Sequence, residues 1–307
     1  MSGEARGIIL KGVGGLYSVY SEGRQYECRL RGSIRLGGIS PVTGDEVFLS
    51  VTDEHAGTAV IDRVAPRRNS LVRPKTANVD RIALVIAAAS PAPDLLLTDK
   101  LLVTAINAGV EPVLVINKAD QDENAARGIA LQYKEAVSCH IISASGGDTA
   151  SMASFFACID GMTTVLAGQS GVGKSTILNI LTDGAFMSTG SISEKTLRGR
   201  HTTRHAELFP VSGKYVSKPS FVIDSPGFSL LELGGMEPRH LPGCYPEVYN
   251  YRGECRFQDC SHTGEPGCFV TGLVEKGLFP RPRYERYVKL YRELEEKEKN
   301  RYRNRKG

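Results

Sequence analysis

The sequence lacks three features that would place it in special classes. None of its apolar runs approaches the roughly 20 residues that a transmembrane helix needs. Residues 1–10 carry charges and glycines and have no apolar core of the kind found in signal peptides. There is also no internal repeat. We therefore expect a cytoplasmic protein with no membrane contact and, because no long apolar seam is visible, a monomer.

Cysteine is sparse, and the expected compartment limits what it can do. A cytoplasmic protein keeps its thiols reduced. The seven cysteines therefore predict a metal site or isolated thiols rather than disulfides. A hydrophobic content of 41% with 23% charged residues excludes a disordered chain. A length of 307 residues allows two or three domains with a sizeable core.

Positive charge is concentrated near the C-terminus. The whole chain carries a net charge of +4, but residues 281–307 contain 11 Lys and Arg against 5 Asp and Glu, a net of +6. The rest of the chain is therefore slightly acidic. A basic tail is common where a protein contacts a polyanion, and charge alone is equally consistent with a solvated helix face.

A glycine-rich segment carries the strongest chemical signal. Residues 168–175 read GQSGVGKS and fit the phosphate-loop pattern G-x-x-x-x-G-K-[ST], between a β-branched apolar run and a helical pattern. Such a loop aims successive backbone N–H groups and a helix N-terminus at one anion. Lys174 is expected to reach the outer phosphates and the Ser175 hydroxyl to bind Mg²⁺. The predicted nucleotide contacts here are Gly168, Gln169, Ser170, Gly171, Val172, Gly173, Lys174, Ser175 and Thr176.

A second polar segment reads Asn117-Lys118-Ala119-Asp120 and follows the predicted strand 112–116. The Asp120 carboxylate can accept from both N1–H and the 2-amino group of guanine, and adenine offers no such pair of donors. Asn117 is expected to brace the neighbouring loops, and the stem of Lys118 to cover the base. An N-K-x-D turn alone is common, but at the carboxyl end of a strand in an α/β sheet it is specific.

Two further strand ends complete the predicted nucleotide site. Ser143 and Ala144 follow a third strand and could offer backbone N–H groups to guanine O6. Asp224 follows the apolar run 221–223 and is expected to hold the Mg²⁺ shell, and Gly227 to donate its N–H to the γ-phosphate.

The polar segment between the phosphate loop and Asp224 predicts a switch. Its Thr202 or Thr203, of which we favour Thr203, would complete the metal shell. The order of these motifs is shifted, because the guanine-reading segment precedes the phosphate loop. Joining the ends of a GTPase and cutting it before its guanine half gives this order.

A cluster of metal-ligand residues lies in the C-terminal part. Three cysteines and one histidine within fourteen residues match the Cys₃His pattern of a structural Zn²⁺ site. All four ligands would come from the protein, so the metal would be structural, with one ion per chain. The predicted ligands are Cys255, Cys260, His262 and Cys268.

The remaining sequence predicts the architecture. Residues 1–72 contain five short strands separated by turns, which favours an OB-fold barrel. Such barrels often bind nucleic acid, and a purely structural barrel is the alternative. The predicted phosphate contacts and stacking residues are Arg24, Arg29, Arg31, Arg35 and Tyr17, Tyr20 or Tyr26. Alternating strands and helices in residues 73–235 predict a parallel α/β sheet with the circularly permuted P-loop GTPase, and 236–307 a zinc-binding domain with a basic helix.

Taken together, these motifs resemble the RsgA (YjeQ/YloQ) family of circularly permuted GTPases over nearly the whole chain. The resemblance implies a late-acting assembly factor that binds the small ribosomal subunit and its rRNA, and that hydrolyses GTP there to time its release. It also implies zinc at the Cys₃His cluster. The alternative is a GTP-locked RNA-binding module in which hydrolysis is incidental.

One segment departs from the family pattern. Many members carry a histidine after the D-x-P-G motif, whereas residues 228–236 contain none. Phe228 also stands where many small GTPases have a water-orienting glutamine. The sequence therefore leaves the residue that activates water unidentified, and rRNA or an ordered loop is expected to supply the missing group.

Overall fold

The computed structural model describes residues 5–32, 34, 40–72, 75–186, 206–224, 236–251 and 253–304. Within these residues, five N-terminal strands close into a barrel in the order β1-β2-β3-β5-β4, with β4 pairing back onto β1. The pairs are antiparallel except β3 with β5. The strands are β1 (Ala5–Val13), β2 (Leu16–Ser21), β3 (Arg24–Leu30), β4 (Glu46–Asp53) and β5 (Thr58–Val64). The predicted OB-type barrel is therefore confirmed.

Side chains that alternate along these strands fill the barrel. Its core includes Ile9, Val19, Cys28, Val47, Leu49 and Ile61, each fully buried. The Tyr26 ring also belongs to this core, so the prediction that it offers an open stacking face is wrong. Two of the predicted phosphate contacts carry carboxylate partners, since Arg24 pairs with Glu54 and Arg31 with Asp62. Arg35 lies outside the described residues.

The segment after the barrel, predicted to be a linker, is structured. Ser70–Val72 (β6) pairs with Lys75–Ala77 (β7) in a short antiparallel ladder. Before it, the Arg67 guanidinium donates two hydrogen bonds, of 2.7 and 2.8 Å, to the fully buried carboxylate of Asp45. The polar composition of this segment suggests a solvent-exposed linker. The sequence does not show that Arg67 has a buried partner, because Asp45 lies 22 residues earlier in the chain.

The α/β part is built on a six-stranded sheet with strand order β10-β9-β8-β11-β13-β12. The strands are β8 (Arg81–Ala87), β9 (Glu111–Asn117), β10 (Ser138–Ile141), β11 (Thr163–Ala167), β12 (Glu207–Pro210) and β13 (Phe221–Asp224). The predicted parallel sheet has one antiparallel edge, where β12 runs antiparallel to β13. Only residues 211–220 join these two strands, which is too short a connection for a parallel crossover.

Four helices accompany these strands in the described residues. They are α1 (Leu95–Asn107), α2 (Glu123–Tyr133), α3 (Ala153–Ile159) and α4 (Lys174–Leu181). Aspartates cap the first two, because the Asp94 carboxylate accepts from Leu97 N at 2.9 Å and that of Asp122 from Ala125 N at 2.8 Å. Helix α3 was not predicted, since its seven mostly apolar residues suit a short strand as well as a helix.

The C-terminal lobe surrounds its own apolar core. A 3-10 segment (Pro238–Cys244) leads into α5 (Pro246–Tyr249), then α6 (Phe269–Glu275) and the long α7 (Arg281–Asn304). The predicted apolar stripe of α7 is confirmed, because Tyr287, Leu290 and Leu294 are buried in this core. Helix α1 contributes to the same core through Val103.

The chain divides into two compact units. One contains the barrel, and the other comprises Leu84–Ser143, Gly168–Val172 and Ser229–Gly307. The first five residues of the phosphate loop therefore share a unit with the 117–120 segment and with the C-terminal lobe. The predicted boundaries at residues 72 and 235 stay predictions. In the described residues, no helix combines the length and apolar character that spanning a membrane requires.

Candidate functional site

The phosphate loop joins a buried strand to a helix, as predicted. All five residues of β11 are buried, and α4 begins at Lys174. Gly168, Gly171 and Gly173 adopt positive φ values of 140°, 79° and 98°. A Cβ on Gly168 would lie 2.0 Å from the carbonyl oxygen of Val85, so only glycine fits there. The loop can therefore turn its backbone N–H groups toward an anion at the start of α4.

The segment Asn117 to Asp120 is hydrogen-bonded to this loop. Asn117 ends β9 and is buried, and its Nδ2 donates to the carbonyl oxygen of Val172 at 2.9 Å. Lys118 Nζ donates to the carbonyl oxygens of Gly171 and Ser90, each at 2.8 Å. The structure thus brings together two motifs that lie far apart in sequence. It also identifies Ser90, which the sequence analysis missed because a backbone carbonyl leaves no motif.

The predicted guanine-reading carboxylate lies at the exposed end of this arrangement. Asp120 is exposed, and its backbone N–H donates to Ser143 Oγ at 3.1 Å. Ala119 N also donates to Ile142 O at 3.1 Å, which ties the loop after β9 to the loop after β10. Ala144, the next residue along, is buried. The predicted base-binding residues after these two strands are therefore neighbours, and their contacts with guanine stay predictions.

Gln169, which was predicted to contact the nucleotide, also connects the phosphate loop to the start of α1. Its Oε1 accepts a hydrogen bond of 3.1 Å from the backbone N–H of Asp94, the N-cap of α1. In the same loop, Lys174 is partly buried, whereas Ser175 and Thr176 are exposed at the start of α4. Exposure at this point is what residues that contact phosphate and Mg²⁺ require.

Several residues of the predicted metal and γ-phosphate site lie outside the described ranges. Thr202, Thr203, Gly227 and Phe228 lie outside the described residues. Asp224 is described through its backbone alone, as the last residue of β13 and the register partner of Leu166. Their predicted roles in metal and γ-phosphate binding remain predictions.

The four predicted metal ligands converge. One ligand atom from each of Cys255, Cys260, His262 and Cys268 lies within 4.8 Å of the others. His262 Nδ1 is 3.4 Å from Cys255 Sγ and 3.6 Å from Cys268 Sγ. Ligand atoms around one tetrahedral Zn²⁺ are separated by about 3.5–3.8 Å, given bonds of about 2.0–2.3 Å. The donor set and its spacing therefore fit Zn²⁺.

Two thiols of the cluster are hard to ionise unless a cation is bound. Burial raises the pKa of the Cys260 thiol to about 12 and also raises that of Cys268. Burial lowers the pKa of His262, which keeps its imidazole neutral and able to coordinate. Buried thiolates need a compensating positive charge, and a divalent metal supplies it.

Glu265 organises the loop that carries these ligands. Its carboxylate accepts hydrogen bonds from the backbone N–H groups of Ser261 at 2.7 Å, Thr263 at 2.8 Å and Gly264 at 3.1 Å. Burial alone would raise the pKa of Glu265, but hydrogen bonds from Ser261 and the backbone outweigh it and lower the pKa to about 2. The sequence analysis missed this residue, although a carboxylate between the third and fourth ligands was visible.

Comparisons with known proteins agree with this geometry. Residues 64–234 match the RsgA GTPase family, and residues 6–59 match the RsgA N-terminal domain. A relative from Ruminiclostridium cellulolyticum, named small ribosomal subunit biogenesis GTPase RsgA, is 42% identical over 292 residues, 94% of each chain. A relative of the same name from Agathobacter rectalis is 36% identical over 304 residues, 95% of this chain and 99% of its own.

Two solved structures share the fold. The crystal structure of YjeQ from Thermotoga maritima has a TM-score of 0.77 and 33% identity, covering 95% of this chain and 98% of its own. The structure of YloQ, a circularly permuted GTPase, has a TM-score of 0.77 and 30% identity, covering 96% of each chain. The matched family ranges, the near-complete coverage and the two joined nucleotide motifs show that the chain belongs to the RsgA family of GTPases.

Proposed function

We propose that this protein binds GTP and hydrolyses it to GDP and phosphate. The observation that carries the proposal is the pair of hydrogen bonds from Asn117 and Lys118 to the backbone of the phosphate loop. These bonds connect the segment predicted to bind guanine to the loop predicted to bind the phosphates, and a single bound nucleotide would have to contact both. Membership of a GTPase family supports the same reaction class.

Each predicted group has a distinct task in this reaction. Backbone N–H groups of the phosphate loop and the Lys174 ammonium stabilise charge on the phosphates, and the Gly227 N–H adds a contact to the γ-phosphate. Mg²⁺, when bound with GTP, neutralises charge on the β- and γ-phosphates. Ser175, Thr203 and Asp224 are the residues that would hold it.

We propose further that hydrolysis takes place on the small ribosomal subunit during its late maturation and times release of the protein. Support comes from the relatives, which are named for small-subunit biogenesis. The barrel and the basic helix α7 are the surfaces proposed to contact rRNA. A group from rRNA or an ordered loop would orient water, since residues 228–236 offer neither histidine nor glutamine. The protein would act in the cytoplasm, as a monomer.

The GTPase rate with and without purified small subunits tests this proposal. We expect slow hydrolysis by the protein alone and an increase of about tenfold or more with subunits. Lys174→Ala should abolish hydrolysis under both conditions. Equal rates with and without subunits would contradict the proposal.

A release assay separates a timer from a GTP-locked binding module. Ser175→Ala should bind subunits in the presence of GTP but stay bound, because it cannot complete hydrolysis. If this variant leaves the subunit as fast as the wild type, hydrolysis does not time release and the module is the better description.

We also propose that the Cys₃His cluster holds one structural Zn²⁺ per chain. The support is a set of four protein ligands whose donor atoms approach one another as a tetrahedral ion requires. No position is left for water or substrate, so the ion would stabilise the C-terminal lobe without taking part in hydrolysis. Metal analysis of the purified protein should find about one zinc per chain.

A further inference from the structure

Helix α1 is connected at its first turn to the phosphate loop. The Asp94 N–H donates to Gln169 Oε1 at 3.1 Å, and the Asp94 carboxylate caps the helix by accepting from Leu97 N. A shift of the first turn of α1 would therefore move or break a contact of the second residue of the phosphate loop.

The middle of α1 is held by a buried charge cluster. Asp99 is fully buried, and its two carboxylate oxygens accept from Arg283 Nη1 and from Arg286 Nε, both on α7. Arg283 Nε also donates to Glu247 Oε1 of α5, at 2.5 Å. Two arginines and two carboxylates balance in charge, and the side chain of Arg283 is only 2% exposed. Removing one partner would leave a buried charge uncompensated, so the cluster fixes α1 against α7.

Tyr133 of α2 links this cluster to the first turn of α1. Its hydroxyl accepts from Arg286 Nη2 at 3.3 Å and donates to the carbonyl oxygen of Leu95, also at 3.3 Å. Leu95 is the neighbour of Asp94, the residue that contacts the phosphate loop. Burial, together with the charge of Asp99, raises the pKa of Tyr133, which keeps its hydroxyl available as a donor.

A second ion pair joins the same two helices. Lys100 Nζ of α1 lies 2.8 Å from Glu293 Oε2 of α7, and both side chains are about 30% exposed. Arg283, Arg286 and Glu293 follow one another at helical spacings of three and seven residues, so one face of α7 presents all three to α1.

We propose that Asp99 and Tyr133 are positioning residues for the phosphate loop. They hold the first turn of α1 in place. Through the contact between Asp94 and Gln169, that turn holds the phosphate loop in the conformation that binds a nucleoside diphosphate. The C-terminal lobe, which supplies both arginines, thereby influences nucleotide affinity. The inference rests on the proposed function in that it takes the loop to bind guanine nucleotides.

A double-mutant cycle on GDP affinity tests the proposal. The dissociation constant of a fluorescent GDP analogue is measured, with Mg²⁺ present, for wild type, Tyr133→Phe, Gln169→Ala and the double variant. Tyr133→Phe removes a single hydroxyl and should weaken binding about three- to tenfold. In the Gln169→Ala background, Tyr133→Phe should change the GDP dissociation constant much less, because the hydrogen bond between Asp94 and the phosphate loop is already absent. Equal effects in both backgrounds would overturn the proposal.

Asp99→Asn gives a stronger version of the same test. It should weaken GDP binding at least as much as Tyr133→Phe and show the same dependence on Gln169. If it does not fold, two milder variants decide the test. These are Tyr133→Phe and Glu293→Gln, and the second lies in the partly exposed ion pair with Lys100 and should weaken binding by about twofold. Unchanged affinity in every folded variant would overturn the proposal.

A matched control separates positioning from general destabilisation. Val274→Ala removes buried apolar volume from the C-terminal lobe without touching the charge cluster. It should lower the melting temperature and leave the GDP dissociation constant unchanged; a shift as large as that of Tyr133→Phe would overturn the proposal. If wild type itself fails to bind GDP, the proposed function and this inference fall together. If wild type binds and the cycle is additive, the inference alone fails.

Discussion

Asn117 donates from its side-chain amide to the carbonyl oxygen of Val172 at 2.9 Å, across a sequence separation of 55 residues. Both partners are buried. This bond joins the last residue of β9 to the phosphate loop, and it links the two predicted halves of the nucleotide site through buried atoms. Its loss would leave a buried carbonyl without its amide partner.

Asn117→Ala should therefore lower both stability and nucleotide affinity. An unsatisfied buried acceptor costs about 1–3 kcal/mol, which we expect in urea unfolding without nucleotide. The rise in melting temperature on adding GDP should also shrink. Asn124→Ala, an exposed change in the first turn of α2, is the control and should leave both quantities unchanged. An Asn117→Ala protein as stable as this control would contradict the prediction.

Asp120→Asn should change which purine is bound. The carboxylate can accept two hydrogen bonds from guanine, and an amide can accept only one while donating to the oxygen that xanthine carries at C2. We expect GDP affinity to fall about a hundredfold or more and xanthosine diphosphate to bind better than GDP. Competition binding with the two nucleotides measures this. Unchanged selectivity would show that Asp120 does not contact the base.

Cys268→Ser should remove most of the bound zinc. A serine hydroxyl is a poor replacement for a thiolate ligand, so metal content per chain and the melting temperature should both fall. Cys244→Ser is the matched control, since Cys244 is also buried but lies outside the four-ligand cluster. Equal zinc loss in both variants would indicate general unfolding of the lobe rather than loss of a ligand.

Glu265→Gln should weaken the ligand loop in a pH-dependent way. The folded-state pKa of Glu265 is lowered to about 2 from an ordinary value of 4.5. A lowered pKa gives stability that is present above pH 4.5 and is lost as the pH falls toward 2. The stability advantage of wild type over Glu265→Gln should therefore be full at pH 7 and shrink below pH 4.5.

Chemical denaturation at several pH values gives that difference directly. Glu254→Gln, an exposed carboxylate nearby in the same lobe, is the control and should show little difference from wild type at any pH. A gap between wild type and Glu265→Gln that stays constant from pH 7 to pH 3 would contradict the assigned hydrogen bonds.

Local patterns determined the elements and the chemistry of this protein. The five barrel strands, the β11-loop-α4 unit and the Asp94 cap of α1 each follow from residues that are neighbours in sequence, because short-range spacing governs strands, glycine turns and caps. The Cys₃His ligand set is equally local, since all four ligands lie within fourteen residues.

Other features depend on pairings that sequence spacing does not encode. The Arg67 contact with Asp45 and the burial of Tyr26 were missed or misread, because each depends on residues from other strands or loops. The antiparallel direction of β12 was also missed, although the ten residues between β12 and β13 are too few for a parallel crossover. Helix α3 was not predicted for a different reason. Its seven residues are too few for the hydrophobic pattern to distinguish a helix from a strand.

The sequence by itself therefore determined which groups could bind phosphate, guanine and metal. The reason is that side-chain chemistry and local backbone conformation depend on each residue and its near neighbours in the chain. Only the tertiary structure decided that Asn117 meets Val172, that Gln169 meets Asp94, and that α7 neutralises Asp99 inside the protein. These contacts join segments 55, 75 and about 185 residues apart, and chain folding alone brings such segments together.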